Sequence, residues 1–308
     1  MDETLEKMGD IDARTFQTPL AELAEVMAQK VKREAPAVLP EPKFVAADLH
    51  VLIRLAMRTY DLLFYLNADE RRATDCYWRP VYSIITLPLI RNMIDCLYNI
   101  TAILQDPDRN SSWFRKSGYK QRLKALDEDQ ARYGGQPKWD EWISENRDWT
   151  QFAIRVDGLT VAEVSAQPLW PTLGRYVKDK QAGGTLTPHQ EFLKTFAYGA
   201  WREYSAMAHG AFEGLMPIAI YYAPDSVQYE ERSKVDEKHP LIMSMHLARA
   251  AAILLCIVTE LQAHFHFDAA RIDERIHKMW NVLMPVFEVE ELYNGRYAQL
   301  MKDAHINP

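Results

Sequence analysis

Arg202 and His209 are the two residues whose types and spacing best suit chemistry, because they lie seven positions apart in a segment that predicts a helix. At about 100° per residue, seven positions return to one helix face and separate the side chains by roughly 10 Å along the axis. Guanidinium and imidazole groups are side chains that proteins use to bind anions and to move protons. The pair therefore indicates a helix surface suited to such chemistry.

Tyr198 and Ser205 fall on the same predicted face as Arg202 and His209. The opposite face carries apolar side chains, namely Leu193, Phe196, Ala197, Ala200, Tyr204, Met207 and Ala211. Such a stripe is typical of a helix that packs on a core. We therefore expect the four residues to point toward a groove, a partner or solvent. A histidine followed by Gly210 at a helix end also has a structural use, because it complements the helix dipole, and both uses stay open.

A second pair, Arg91 and Asp95, lies one turn apart in a helix that is otherwise nearly all apolar. A buried charge is costly unless it is paired, so an ion pair between these residues is the structural interpretation. The functional alternative is that the pair positions Arg202 or His209, or adds charge to a phosphate site. The sequence leaves both open.

An arginine followed by six residues and a histidine, on one helix of an all-helical chain, resembles the signature of the HEPN superfamily. Residues 204–210 look like the serine-to-His-Gly phrase of a bacterial HEPN-like family. Arg91 and Asp95 resemble that family's Arg-x-x-x-acidic motif, with Asp95 in place of the more usual glutamate. The resemblance spans roughly the helices at 45–105 and 187–268, and the segment between them has no counterpart in it.

The resemblance implies a metal-independent ribonuclease of a toxin or defence type. His209 would act as general base on the ribose 2′-hydroxyl or as acid on the leaving 5′-oxygen, and Arg202 would stabilise the charge of the transition state. The supporting residues would be Arg91, Asp95, Tyr198 and Ser205. It also implies an RNA substrate, a homodimer, a cognate antitoxin or other protein partner, and no metal or other cofactor.

Two other functions stay open beside the ribonuclease. One is a non-catalytic helical binding or scaffold protein with a nucleotide, RNA or protein partner. The other is a small-molecule-binding bundle in which residues 106–186 form a lid. A metal site at Glu260, His264 and His266 is disfavoured, because residues two apart on a helix do not face each other.

The pattern of apolar residues predicts an all-α fold, a helical bundle of long core helices with an inserted subdomain of short helices. We expect an N-terminal helix and proline-containing linker at 1–43 and core helices at 44–105. A polar, tryptophan-rich insertion follows at 106–186, and further core helices at 187–308 carry the Arg/His motif. Caps and prolines predict helix starts at Pro19, Pro188 and Pro240. The insertion's tryptophans at 139, 142 and 149 are expected to pack.

Composition narrows the classes of protein further. A net charge of −7 and a pI of about 5.8 argue against a double-stranded DNA partner. Three widely spaced cysteines suit buried thiols in a reducing compartment, and the acidic N-terminus does not resemble a signal peptide. Charged residues interrupt the apolar stretches 81–104 and 241–263, so both are predicted to be core helices. We expect a cytoplasmic protein that is not embedded in a membrane.

Overall fold

Helices form all the regular secondary structure in the described part of the computed structural model, which covers residues 14–39, 44–67, 79–179, 184–211, 229–268 and 271–306. This confirms the all-α prediction and the bundle of long helices. The sequence itself favours helices over strands, because its apolar residues recur at helical spacing and glycine is sparse, at 12 of 308 residues.

The first half of the bundle contains helices α1 (Arg14–Arg33), α2 (Ala35–Val38), α3 (Phe44–Asn67) and α4 (Arg79–Gln105). The predicted start of α1 at Pro19 is wrong, because the helix already includes Arg14 and Pro19 lies inside it. Phe16 is buried with Leu20, so the packed face extends upstream of the proline. Helix α4 is the central element, because it contacts α3 and also packs against helices that come later in the chain.

Residues 106–186 differ from the predicted set of short helices. They form α5 (Pro107–Tyr133) and α6 (Pro137–Val156), of 27 and 20 residues, before the short helices α7 (Val161–Ala166) and α8 (Leu173–Tyr176). A tight turn lets α5 and α6 pack as a helical hairpin. The polar composition of this segment did not predict two long helices.

Arg115 on α5 connects this hairpin to the core through ion pairs. Its Nε lies 2.8 Å from Asp48 Oδ2 on α3, and its Nη1 lies 2.6 Å from Asp157 Oδ2 at the end of α6. Tyr119 donates a second hydrogen bond of 2.6 Å to Asp157. The tryptophan prediction is wrong for Trp149, which is 68% exposed.

The motif helix has three parts: α9 (Pro188–Phe192), a π-helical segment π1 (Leu193–Ala197) and α10 (Tyr198–Ala208). Its predicted start is confirmed, since Thr187 and Gln190 form a reciprocal capping box. Its last α-helical residue is Ala208.

The last part of the chain forms α11 (Tyr229–Phe265), α12 (Ile272–Leu283), α13 (Phe287–Leu292), a second π-helical segment π2 (Tyr293–Tyr297) and α14 (Ala298–Asp303). The predicted helix start at Pro240 is wrong, because α11 runs through that position. A proline inside a helix removes one hydrogen bond without ending the helix when both flanks continue it.

Within α11, residues Met243–Phe265 are long and apolar enough to cross a membrane by length and composition, with a mean hydropathy of 1.5. However, 78% of the most apolar window is buried inside the protein. That burial is what a central helix of a bundle shows, and it agrees with the predicted core role of the stretch 241–263.

The two π-helical segments meet where the half-buried Phe196 ring of π1 lies against Gly295 of π2. A β-carbon added to Gly295 would lie 2.6 Å from Cζ of Phe196, so a side chain there would displace the ring. Next to this contact, Arg296 lies over the Phe192 ring and donates to both carboxylate oxygens of Glu260, at 2.7 and 3.0 Å. Glu260 is therefore engaged by an arginine.

Candidate functional site

Helix α10 packs against α4, and Trp201 makes the polar link between them. The Trp201 indole Nε1–H donates to Asp95 Oδ1 at 2.9 Å. The Arg91 guanidinium lies 5.3 Å from the centre of the Trp201 ring, a cation–π distance, and its Nε lies 3.7 Å from Asp95 Oδ2. The predicted ion pair between Arg91 and Asp95 is present, and Trp201 holds both partners.

His209 completes this group. Nη1 of Arg91 lies 3.4 Å from Nε2 of His209, although the two residues are 118 positions apart in the chain. A guanidinium can only donate, so the imidazole Nε2 is the acceptor in this contact. We call Arg91, Asp95, Trp201 and His209 the Arg91–His209 cluster.

The backbone at His209 ends the helix without help from the imidazole. The amide of Gly210 donates to Met207 at 3.2 Å, and that of Ala211 donates to Ala206 at 2.9 Å. Gly210 has φ +63°, the left-handed conformation that glycine adopts at helix ends. The side chain of His209 is exposed and contacts Arg91 instead of the terminal carbonyls.

Arg202 follows Trp201 directly and is exposed. It makes no hydrogen bond or ion pair with the residues that the structure describes. Its guanidinium donors are consequently open to a ligand on the surface of α10. The structure thus gives Arg202 and Arg91 different situations, one open to solvent and one held between an indole, a carboxylate and an imidazole.

Tyr198 and Ser205 do not share the exposure of Arg202. Tyr198 is half-buried and stacks on Trp201 with 6.0 Å between ring centres, and Lys178 Nζ lies 5.6 Å from the tyrosine ring. Ser205 is only 8% exposed, and its hydroxyl donates to the Trp201 carbonyl at 2.6 Å. The expectation that Ser205 points away from the core is wrong, because three residues turn it about 60° from Arg202.

Burial shapes the electrostatics of the Arg91–His209 cluster. Burial raises the pKa of Asp95 above its ordinary value, while the Trp201 hydrogen bond and the Arg91 charge act in the opposite direction. A partly desolvated carboxylate needs both partners when it is ionised. Asp95 therefore orients Arg91 and Trp201 more strongly than an exposed carboxylate could.

Trp201 is the member of the cluster that the sequence analysis missed. Its position next to Arg202 gave no sign of a polar role. A usable signal existed, since a partly buried indole N–H requires an acceptor and Asp95 is an acid in a nearly apolar helix. Only the packing of α10 on α4 shows that the two meet.

A cavity of about 370 Å³ lies on another side of α10. Its floor is apolar and includes Ile94 and Ile253. At one end, Arg249 makes a two-point hydrogen-bonded pair with Glu288, both distances being 2.7 Å, and donates to the Tyr204 hydroxyl at 3.2 Å. The described residues that line it come from outside 106–186, so the insertion does not form a lid over this cavity.

No cluster of three or more histidine, cysteine, aspartate or glutamate side chains suited to a metal ion occurs within the described ranges. Cys96 and Cys256 are free and buried, and burial raises the pKa of Cys96 to about 12. Both agree with the interpretation of the cysteines as small apolar side chains. Cys76 lies outside the described residues.

Comparison of the chain with protein-family models, with curated proteins and with solved structures finds no match. An assignment of function therefore rests on the geometry of the chain's own residues.

Proposed function

We propose that this chain is a metal-independent ribonuclease of a toxin or defence type, with Arg202 and His209 acting at the phosphodiester bond. The observation that carries the proposal is the 3.4 Å approach of the Arg91 guanidinium to the His209 imidazole at an exposed helix end. An imidazole beside fixed cations suits proton transfer next to a phosphate.

In the proposed reaction, the Arg91 donor turns from His209 to the phosphate, and the freed lone pair of His209 Nε2 accepts the proton of a ribose 2′-hydroxyl. The 2′-oxygen then attacks the adjacent phosphorus. The bond from phosphorus to the 5′-oxygen of the next nucleotide breaks, and that oxygen takes a proton from the imidazolium or from water. The products are a 2′,3′-cyclic phosphate and a 5′-hydroxyl end. Arg202 and Arg91 donate to the non-bridging phosphate oxygens as charge accumulates there.

Asp95 and Trp201 act as positioning residues in this proposal. The indole and the carboxylate fix the Arg91 guanidinium, so that the N–H groups of its Nη atoms face His209 and the phosphate. The same proposal includes a homodimer, a cognate antitoxin or other protein partner and a cytoplasmic location, with no metal or other cofactor in the reaction.

The test is cleavage of purified total RNA in the presence of excess EDTA, with analysis of the product ends. Wild type and His209→Ala are compared with His264→Ala, a matched change at an exposed histidine at the end of α11. Circular dichroism and thermal unfolding establish that all three proteins are folded. We expect 2′,3′-cyclic phosphate ends from wild type and His264→Ala, and at least a hundredfold less product from His209→Ala.

A non-catalytic binding or scaffold protein is the second candidate, and the exposed guanidinium of Arg202 on α10 favours it. Such a group can bind an anionic part of a nucleotide, RNA or protein partner without any chemistry. Equal cleavage by wild type and His209→Ala, or no cleavage by either, would remove the catalytic proposal. Retained RNA binding that is lost in Arg202→Ala would then support the binding function.

A further inference from the structure

The cavity of about 370 Å³ beside α10 lies between α4, α10, α11 and α13. Helix α4 contributes Ile94 and Leu97 to its wall, α11 contributes Ile253, and α13 contributes Leu292. The remaining side is formed by π1 and the start of α10. The volume falls in the range of small-molecule sites, about 300–1,000 Å³. Because π-helical segments often occur at functional sites, the position of π1 in the wall favours a ligand.

The residues that line this cavity differ in polarity according to their burial. The buried ones are apolar apart from the hydrogen-bonded hydroxyl of Tyr204, and they include Leu97, Ala252 and Val289. The exposed ones are Thr195, Gly199, Glu203, Glu288 and Glu291. We call the three glutamates the acidic rim. A ligand that fits this cavity therefore combines an apolar body with a group that carboxylates bind.

Arg249 is the one basic side chain among the described residues that line the cavity, and each of its three nitrogens already donates a hydrogen bond. Its Nε and Nη2 donate to Glu288 at 2.7 Å, and its Nη1 donates to the Tyr204 hydroxyl at 3.2 Å. The side chain is only 19% exposed. An anionic ligand would have to displace Glu288 from this pair, so Arg249 does not make the cavity a site for anions.

The acidic rim is not neutralised by Arg249. Glu291 makes no hydrogen bond or ion pair with the residues that the structure describes, and Glu203 has only a contact of 3.5 Å with Arg249. The Arg249 hydrogen bonds lower the pKa of Glu288 below its ordinary value, which keeps that carboxylate charged. Acidic side chains at the cavity outnumber basic ones by two. The cavity therefore has negative charge beside a buried apolar wall, which complements a ligand with positive charge.

We propose that this cavity binds a small molecule that has an apolar chain or ring and one ammonium group. The apolar part covers the wall at Ile94 and Ile253, and the ammonium group lies within the acidic rim. An ammonium group has only donors, and the carboxylates of Glu203 and Glu291 supply acceptors. This binding does not depend on the proposed ribonuclease activity, because it uses another side of α10 and none of the Arg91–His209 cluster.

The experiment uses the full chain and three probes of equal chain length, namely hexylamine, hexanol and hexanoate. Each probe is titrated into protein with isotope-labelled isoleucine methyl groups, and the methyl signals are followed by NMR. We expect hexylamine to shift the signals of Ile94 and Ile253 and to leave those of Ile143 and Ile154 on α6 unchanged. Hexanol should bind about tenfold more weakly because it lacks the charge, and hexanoate should bind more weakly still because the rim repels it.

Two charge reversals test the acidic rim. Glu291→Lys changes a residue of the rim, and Glu290→Lys is the matched control, because Glu290 is exposed but does not line the cavity. We expect the dissociation constant for hexylamine to rise about tenfold in Glu291→Lys and less than about twofold in Glu290→Lys.

Three results would overturn the proposal. Equal effects of the two reversals would show that hexylamine responds to net charge and not to the rim. Hexanoate or hexanol binding as tightly as hexylamine would rule out a site that selects a cation. Unchanged signals of Ile94 and Ile253 with every probe would show that the cavity does not take such a ligand.

Discussion

Trp201 and Asp95 are joined by a hydrogen bond of 2.9 Å that connects α10 to α4 across 106 positions of the chain. It lies in the interface between the helix with Arg202 and His209 and the helix with Arg91. The first prediction therefore concerns the indole N–H.

Trp201→Phe keeps an aromatic ring but removes the donor to Asp95. We expect a loss of about 1 kcal/mol in the free energy of unfolding at pH 7, near the lower limit for a lost bond to a charged group because Asp95 is 38% exposed. The loss should shrink at pH 4, since burial raises the pKa of Asp95 and a protonated carboxyl needs the donor less. Urea unfolding at both pH values measures this. Trp113→Phe, which removes a hydrogen bond to the Pro168 carbonyl, is the control and should show no such pH dependence.

Gly295→Ala tests the close contact between π1 and π2. The added β-carbon would lie 2.6 Å from the Phe196 ring, so the ring or the segments must shift, and we expect a destabilisation of about 1–3 kcal/mol. Gly118→Ala is the matched control, because nothing lies within 4 Å of its β-carbon position inside α5. That change should stabilise by up to about 1 kcal/mol. Thermal unfolding of both variants is the measurement, and equal effects would contradict the contact.

Arg115→Met tests the attachment of the α5–α6 hairpin. It leaves the side chains of Asp48 and Asp157, only 13% and 10% exposed, without their shared cation. We expect a loss of about 3–5 kcal/mol. Arg147→Met is the control within the same hairpin, because its partner Asp127 is 67% exposed and the pair should contribute less than about 1 kcal/mol. Similar losses in the two variants would show that the Arg115 network does not hold the hairpin.

His189 should make the fold sensitive to acid. Burial, with the nearby Arg296 charge, lowers the pKa of His189 to about 3, and its Nδ1 lies 2.9 Å from the Tyr176 hydroxyl. The unfolded chain binds this proton near pH 6.5, so stability is lost as pH falls from about 6.5 toward 3.

The measurement for His189 is urea unfolding at pH 7 and pH 5. The histidine should account for a loss of about 2 kcal/mol between these values, which His189→Gln should lack. Comparing the two proteins cancels the contributions of the other titrating groups. Identical pH dependence in wild type and His189→Gln would show that folding does not lower the pKa of His189.

The sequence predicted the helices better than it predicted where they end or which helices contact each other. Apolar periodicity and capping residues are local signals, so α3, α4 and the helix start at Pro188 followed from them directly. The starts of α1 and α11 were predicted wrongly at prolines. A helix continues through a proline when the residues on both sides of it pack as a helix. The long hairpin helices were missed, since much of their surface is polar.

The candidate site was predictable in its residues and not in its geometry. The types and spacing of Arg202 and His209 marked one exposed helix surface, and the pairing of Arg91 with Asp95 followed from the cost of a buried charge. The meeting of Arg91 with His209 depends on how α10 packs on α4. No local pattern carries that information.

The π-helical segment π1 also bears on how such a chain can diverge. Its wider turn holds one residue more than an α-helical turn, and it lies between α9 and α10. Deleting one residue within 193–197 would restore α-helical geometry and rotate α10 by about 100° relative to α9, which would turn Trp201 and His209 away from α4. A substitution in this segment keeps the rotation of the motif helix, whereas a change in its number of residues alters which side of that helix is exposed. We therefore expect divergent copies of this chain to vary in sequence here more readily than in length.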